Sequence, residues 1–438
     1  RAVGMPELVA SSLAEYEAMA LSLARDPEAM ARARTKLETN RSTEPLFNTA
    51  RITRNLETAY MAMCERTRRG EPPESFVVTD AAELEPHDPS TDGQGSVTES
   101  PASFDPLATP DFFPMQFDAQ RNSILFVQMS RQSFKQSVFL DRRAVRAGTT
   151  TLSTEIPKLM GRQAERPMHF ILHGAFCGST LLARYLETLP NCLVLKEPSV
   201  LFQLSRLPDS SPAEAEPSPW YDRLRVTLAL LARGYPGDRA VSIKASDRCS
   251  WMGNLLLDHD ASTKVIFVSA PLKVFLLQVL KEDERRQFVR ARVEQLGGAM
   301  AQVLFLSGIE VTDLTDGQRA AALWLLNSFL CRSLQTRPDS HRILVLNGED
   351  LISRPEDTVL EAAEFFGLAD DEGSRAALET LQPASHHAKH GQLPYDASAR
   401  ETDLTRAETR YGDEVGAALS WASMVASGWL AQSPFPVC

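Results

Sequence analysis

The chain has 438 residues, of which 43% are hydrophobic and 24% are charged. This length and composition allow two or three domains with sizeable cores and exclude global disorder. The formal net charge of -11 argues against a nucleic acid as the main partner. A local basic site for an anionic small molecule stays compatible with that charge.

The cysteine pattern and the absence of long apolar runs bear on the compartment. Six cysteines occur without any CxxC pair, which favours a reducing environment and predicts a cytoplasmic protein. We find no run of 18 apolar residues and no signal-peptide layout, so no membrane partner is predicted. The chain begins at Arg1 and not at a methionine, as a fragment of a longer protein would.

Residues 1 to 78 are predicted to be helical. Ser12 and Glu15 form a capping-box pattern ahead of an apolar stripe that begins at Leu13. Asp26 and Pro27 restart the chain, because proline fits the first turn of a helix but not its interior. Nothing in this segment has the residue types of a catalytic site.

Two motifs in this helical segment are distinctive. They are Arg-Ala-Val-Gly-Met-Pro-Glu-Leu-Val at positions 1 to 9 and Pro-Leu-Phe-Asn-Thr at positions 45 to 49. Together they resemble the extreme C-terminus of the protein O-linked N-acetylglucosamine transferases. In that family the nucleotide-sugar contacts lie mostly upstream, so the resemblance implies no catalytic residue here. It implies that an intact protein would contain a glycosyltransferase domain before Arg1.

Residues 79 to 111 are predicted to form an acidic, disordered linker. No Lys or Arg occurs between Gly70 and Gln120, while acidic residues and prolines recur. Few large apolar residues interrupt them, so the segment cannot bury a core of its own. The next domain is predicted to span residues 112 to 438, with 112 to 160 as its lead-in.

An α/β pattern begins after the lead-in. Residues 168 to 173 are apolar and short, 174 to 180 are small and polar, and 181 to 189 are helical in pattern. The order strand, loop, helix, strand predicts a doubly wound α/β fold with a central parallel sheet.

The small, polar loop holds the candidate cofactor-binding residues. Its glycines allow close backbone approach, and successive amides at a helix N-terminus can cradle phosphate or sulfate oxygens. It is not a Walker A loop, because no Lys stands between Gly178 and Ser179. On the loop alone, an anion site and a plain tight turn stay equally open. The candidate ligands are Gly174, Ala175, Phe176, Cys177, Gly178, Ser179, Thr180 and Leu181.

A series of motifs surrounds the loop: Phe-Ile-Leu-His before it, Gly-Ser-Thr-Leu-Leu from position 178, and Leu-Lys-Glu-Pro from 195. Further on come the strand and turn at 264 to 271, Glu-Asp-Leu from 349 and Phe-Gly-Leu from 366. The combination resembles the sulfotransferase superfamily, especially its bacterial branches. The resemblance implies a P-loop sulfotransferase-like fold. It also implies 3′-phosphoadenosine 5′-phosphosulfate as cofactor, with transfer of its sulfuryl group to an acceptor hydroxyl or amine.

The resemblance assigns roles to single residues. Glu197 matches the acceptor-side general base of several members, a task that suits a carboxylate. Lys244, at a predicted strand end, would neutralise charge on the leaving phosphosulfate. Lys389 would close over the 3′-phosphate of the nucleotide. Each residue also has a simpler interpretation. Glu197 could brace a strand end, Lys244 could be an ordinary surface lysine, and Lys389 could lie in a solvated loop.

Three positions depart from the family pattern. Phe176 stands where many members have Lys, and Ser269 stands where they have Arg. Leu277 occupies the position of a serine that binds the 3′-phosphate. Three basic residues lie near enough in sequence to supply charge instead: Arg248, Lys273 and Lys281.

Two other functions stay open beside a sulfotransferase-like transferase. A P-loop kinase or nucleotide hydrolase is disfavoured by the missing Walker lysine. A noncatalytic nucleotide-binding module attached to a glycosyltransferase is compatible with Phe176 and Ser269. No metal site is predicted, because His386, His387 and His390 have no cysteine or acid cluster near them. The predicted partners are an anionic nucleotide and an unidentified acceptor.

Overall fold

The computed structural model describes residues 5–10, 12–40, 63, 66, 74, 98–99, 108–118, 121–145, 149–161, 166–206, 219–303, 313–380 and 397–432. The chain divides into two compact units, Arg1–Gln94 and Gly95–Cys438. Among the described helices, none is both long enough and apolar enough to cross a membrane.

The first unit begins with two helices, α1 (Leu13–Arg25) and α2 (Pro27–Asn40). The Ser12 hydroxyl accepts a hydrogen bond from the Glu15 amide at 3.2 Å, as the capping pattern predicts. One Asp26 carboxylate oxygen accepts from two amides of the first turn of α2. The break between the helices therefore follows from local side-chain chemistry.

The second unit starts with a four-stranded sheet, three strands of which lie in the predicted lead-in. Strands β2, β3 and β4 are antiparallel neighbours in that order, and β1 pairs parallel to β4 at the edge. Of these strands the sequence predicts β3 alone, from the apolar run of residues 124 to 129. β1 lies inside the predicted linker, and residues 79 to 97 and 100 to 107 of that linker lie outside the described residues, so its prediction stays untested. The bounds are β1 Thr98–Glu99, β2 Phe112–Asp118, β3 Ser123–Gln128 and β4 Thr151–Glu155, followed after β3 by helix α3, Arg131–Gln136.

A five-stranded parallel sheet forms the centre of this unit. Its order is β6-β7-β5-β8-β9, and every neighbouring pair is parallel. The predicted α/β fold with a central parallel sheet is confirmed. The strands are β5 Met168–His173, β6 Cys192–Lys196, β7 Ala240–Lys244, β8 Lys264–Ser269 and β9 Ile343–Asn347.

Helices cover both faces of this sheet. Phe170 and Leu172 of β5 belong to a core on one face, and Ile171 between them belongs to the core on the other. Residues on both faces of a strand are buried in this way when helices cover both faces of the sheet. The helices are α4 Ser179–Leu186, α5 Ser199–Ser205, α6 Pro219–Leu231, α7 Gly253–His259, α8 Leu272–Leu280, α9 Asp283–Val303, α10 Asp316–Gln335, α11 Asp350–Ser353, α12 Pro355–Phe366, α13 Glu372–Glu379 and α14 Ala397–Gln432.

The strand order creates a crevice at the carboxyl edge of the sheet. The connection after β5 leads toward β6, whereas the connection after β8 leads to β9 on the opposite side. Connections that diverge from adjacent strands leave a gap above them, where open α/β sheets bind ligands. The loop of residues 174 to 180 follows β5 and therefore lies at this gap.

His169 of β5 makes the stability of the unit sensitive to pH. Its ring stacks on Phe366 at 4.8 Å, and the Lys264 amide donates to Nδ1 at 3.3 Å, which only an unprotonated nitrogen accepts. Burial, reinforced by the Lys264 charge, lowers the pKa of His169 to about 4. The unfolded chain therefore binds more protons between about pH 6.5 and pH 4, and stability falls as the pH falls through that window.

We expect the His169→Gln variant to lose about 3 kcal/mol less stability than the wild type when the pH falls from 7 to 4. Glutamine still accepts from the Lys264 amide but does not titrate. Urea unfolding of the wild type and the variant at both pH values measures the difference. Parallel pH profiles for the two proteins would assign the acid sensitivity to other groups.

Candidate functional site

Five strand ends meet at the carboxyl edge of the parallel sheet. Two cavities open there. One, of about 300 Å³, lies between the loop, β8 and α10 and includes Gly174, Cys177, Ser269, Trp324 and Arg332 in its lining. The other, a cleft of about 520 Å³, includes Glu197, Ser199, Ser246, Arg142, Arg143 and Arg206.

The loop between β5 and α4 has the backbone of an anion cradle. Phe176 and Gly178 have positive φ values of 56° and 86°, and such residues in alternation with ordinary ones turn successive amides toward a common centre. Five amides of the loop donate to no backbone carbonyl within the described part of the chain. They are the amides of Ala175, Phe176, Gly178, Ser179 and Thr180. Their hydrogen-bonding capacity is open to a ligand.

Two hydroxyls add to the cradle at the N-terminus of α4. Ser179 and Thr180 are each only 5% exposed, and neither hydroxyl has a hydrogen-bond partner among the described residues. Both hydroxyls can donate to a ligand, and the positive end of α4 favours an anion beside them. The arrangement suits the oxygens of a phosphate or sulfate group.

Gly348, just after β9, holds the cradle in place. Its amide donates to the Ser269 carbonyl at 2.7 Å, and a Cβ at this position would overlap the carbonyl oxygen of Cys177. A Cβ on Gly178 would in turn lie 3.3 Å from the Gly348 oxygen. The loop after β5 and the turn after β9 therefore pack backbone to backbone.

His173 places a further constraint on the loop. Its Nδ1 lies 2.7 Å from the Gly174 carbonyl oxygen and its Nε2 lies 2.9 Å from that of Ala245. Carbonyl oxygens only accept, so both contacts are hydrogen bonds when the ring carries a proton on each nitrogen. The ring therefore links the start of the loop to the residue that follows β7. The sequence assigned no role to this residue.

The Phe176 side chain faces away from the anion cradle. Its ring packs against Phe275 and Phe288, with centroids 6.3 and 5.5 Å away, and the Arg285 guanidinium lies 5.1 Å from its centroid. Phe176 can therefore serve an anion only through its amide. Leu181 was also predicted as a ligand, but its amide donates to the Gly178 carbonyl and its side chain is buried in a core.

Glu197 and Lys244 form an ion pair at the ends of β6 and β7. The Lys244 ammonium contacts Oε1 of Glu197, with the lysine side chain 1% exposed and the glutamate side chain 23% exposed. Glu197 has a φ of 51°, a conformation that costs about 1 to 3 kcal/mol in residues other than glycine. Strain of this kind concentrates at functional sites. The carboxylate lines the larger cleft, whereas Lys244 lies beneath it.

Three arginines give the larger cleft its charge. Arg143 donates to Asp141 at 2.9 Å, and this hydrogen bond lowers the pKa of the Asp141 carboxyl. Arg142 donates to Gln116 at 2.8 Å. Arg206 lies 5.9 Å from the centre of the Phe202 ring. The cleft beside Glu197 is therefore wide, polar and rich in donors.

The remaining predicted residues fall in different places. Ser269 lines the smaller cavity, whereas Leu277 is buried in α8. Lys389 and the three histidines near it lie outside the described residues. The candidates for substitute charge are occupied: Lys273 pairs with Glu408 at 2.5 Å, Lys281 contacts Asp403, and Arg248 donates to Gln295. None of the three lines the smaller cavity, and the cation that does, Arg332, was missed by the sequence.

A family model matches the start of the chain, and solved structures with low TM-scores match more than half of it. The family described as glycosyl transferase family 41 matches residues 1–56, a shorter stretch than the predicted 78 residues. Among solved structures, a sulfotransferase domain from the curacin biosynthetic pathway is 12% identical, with a TM-score of 0.33 over 57% of this chain and 99% of its own.

Two further structures give similar values. A sulfotransferase from Alicyclobacillus acidocaldarius is 15% identical, with a TM-score of 0.31 over 60% of this chain and 98% of its own. Retinol dehydratase in a complex with retinol and PAP is 11% identical, with a TM-score of 0.30 over 62% of this chain and 84% of its own. Likeness at this level says nothing about the activity of this chain.

Proposed function

We propose that residues 112 to 438 form a sulfotransferase-like transferase. It would bind 3′-phosphoadenosine 5′-phosphosulfate at the loop and serve an acceptor hydroxyl or amine in the larger cleft. The observation that carries the proposal is the cradle of residues 174 to 180. Among the described residues, the amides of Ala175, Phe176, Gly178, Ser179 and Thr180 donate to no backbone carbonyl, and the hydroxyls of Ser179 and Thr180 have no partner. The cradle lies at the divergence of β5 and β8, where α/β sheets bind anionic ligands.

When bound, the cofactor supplies the sulfuryl group. The amides and hydroxyls of the cradle would hold its phosphosulfate oxygens and offset the negative charge that develops on the leaving group. Glu197 would take the proton of the acceptor from its position in the cleft wall. Lys244 would orient that carboxylate, since its buried ammonium contacts Oε1.

Calorimetric titration with 3′-phosphoadenosine 5′-phosphate tests the proposal. We expect the wild type to bind this nucleotide better than ATP with magnesium, and Ser179→Ala to bind it about 10-fold more weakly, as the loss of one hydrogen bond to a charged group predicts. Ser420→Ala is the matched control, because Ser420 is an exposed residue of α14. If folded wild-type protein bound no bisphosphate, the cofactor assignment would be wrong.

A noncatalytic nucleotide-binding module is the second candidate. It is favoured by the position of the Phe176 ring, which leaves the cradle without the side-chain cation that the resemblance leads one to expect. Tight nucleotide binding together with no sulfuryl transfer to a panel of hydroxyl and amine acceptors would favour this candidate.

A further inference from the structure

The cavity of about 300 Å³ beside the loop holds an arginine without a counter-charge. Arg332, on α10, lines this cavity. Its Nε atom is buried and has no hydrogen-bond partner. No carboxylate among the described residues forms an ion pair with it.

Arg332 differs in this respect from comparable arginines of the chain. A buried Nε without a hydrogen-bond partner also occurs in Arg66, Arg292 and Arg319, but each of these has a carboxylate within 4.0 Å, at distances of 2.8, 3.5 and 3.6 Å. An arginine stays charged when buried, because its pKa is too high for it to lose the proton. Arg332 as a whole is half-buried, so its guanidinium, which has no carboxylate partner among the described residues, is open to an anion in the cavity.

The rest of the lining fits an anionic ligand that is partly aromatic. Trp324 and Phe275 supply aromatic surface, and Ser328, Asn327 and Gln335 supply polar groups. Among the described residues, no aspartate or glutamate lines the cavity. Its volume lies at the lower end of the range for small-molecule sites.

The cavity adjoins the first residues of the loop. Gly174, Ala175 and Cys177 of the loop belong to its lining, as does Ser269 at the end of β8. The Gly174 Cα faces α10 so closely that a Cβ there would lie 3.7 Å from Asn327. A ligand in the cavity therefore lies beside the loop and beside the face of α10 that carries Arg332.

We propose that Arg332 binds the second anionic group of a ligand whose first anionic group occupies the cradle. The inference rests on the proposed function, because 3′-phosphoadenosine 5′-phosphate carries phosphates on two ribose positions. It assigns recognition of the 3′-phosphate to the guanidinium on α10. A planar guanidinium donates two parallel hydrogen bonds to such a group, which Ser269 cannot do.

The test compares two nucleotides that differ by this one group. Calorimetry measures the affinity of the wild type and of Arg332→Gln for 3′-phosphoadenosine 5′-phosphate and for adenosine 5′-monophosphate. We expect the substitution to weaken binding of the bisphosphate by about 10- to 100-fold and to leave the affinity for the monophosphate unchanged. Only the bisphosphate has a second phosphate that Arg332 can bind. Lys273→Gln is the matched control, because that cation is paired with Glu408 and lies outside the cavity.

The outcomes separate this inference from the proposed function. If the wild type prefers the bisphosphate and Arg332→Gln keeps that preference, the role of Arg332 is refuted while the cofactor assignment stands. An equal loss for both nucleotides also refutes the role, because the effect would not depend on the second phosphate. If the wild type binds neither nucleotide, both ideas fail. Thermal unfolding of each variant shows whether the protein compared is folded.

Discussion

Replacing Gly348 by alanine is expected to destabilise the second unit by about 3 kcal/mol or more and to abolish bisphosphate binding. The added Cβ would overlap the carbonyl oxygen of Cys177, a rigid backbone atom of the cradle. The turn after β9, which contains Gly348, cannot move aside without loss of the 2.7 Å hydrogen bond from the Gly348 amide to the Ser269 carbonyl oxygen. Relief of the overlap must therefore come from the cradle itself, which carries the amides proposed to bind the anion.

Gly174→Ala provides the matched control for stability. Gly174 lies in the same cradle, but a Cβ there would meet Asn327 at an ordinary contact distance of 3.7 Å. Urea unfolding should show a small change for Gly174→Ala and a large one for Gly348→Ala. A Gly348→Ala protein as stable as the wild type, with nucleotide affinity intact, would show that the cradle tolerates displacement.

The parallel sheet was predictable because its strands are buried on both faces. Residues 168 to 173 and 264 to 269 are apolar runs that end at small or polar residues, and the structure gives them as β5 and β8. Such runs need no periodicity to be recognised, since length and flanking residues are enough. The cradle was predictable for a related reason: its glycines and hydroxyls follow directly after a strand.

The antiparallel sheet of the lead-in could not be predicted in full. β2 contains Pro114, which argues against a strand in a sequence reading. β4 has the sequence Thr-Leu-Ser-Thr-Glu, in which one large apolar residue is buried. Both strands owe their pairing to β3, whose apolar residues Ile124 and Phe126 are fully buried. Tertiary contacts decide the strand assignment here, and local propensity does not.

The side chains around the cradle were unpredictable because their partners lie far away in the sequence. Phe176 packs on Phe275 and Phe288, about a hundred residues later. Arg332 reaches the cavity from a helix that the motif series does not include. Lys273 and Lys281 are near the site in sequence, but each is paired with a carboxylate on α14. Proximity along the chain did not identify the charge at the site.

Glu197→Gln is expected to lower the rate of sulfuryl transfer by about 10²- to 10⁴-fold, the usual contribution of a general base. Glutamine has nearly the same shape but cannot take a proton from the acceptor. Binding of 3′-phosphoadenosine 5′-phosphate should change little, since Glu197 lines the larger cleft and not the cavity at the loop. Transfer of radiolabelled sulfuryl group to a panel of hydroxyl and amine acceptors measures the rate.

A second buried pair of the same chemistry provides the control. Lys196 contacts Glu187 at 2.5 Å, with side chains 2% and 13% exposed, and burial raises the pKa of the Glu187 carboxyl. Glu187 does not line the larger cleft, so Glu187→Gln should alter stability but leave the rate per folded molecule unchanged. If both substitutions lowered the rate to the same extent, Glu197 would be a structural brace of the strand end. A loss confined to Glu197→Gln, with nucleotide affinity retained, would place proton transfer at the cleft and not at the cradle.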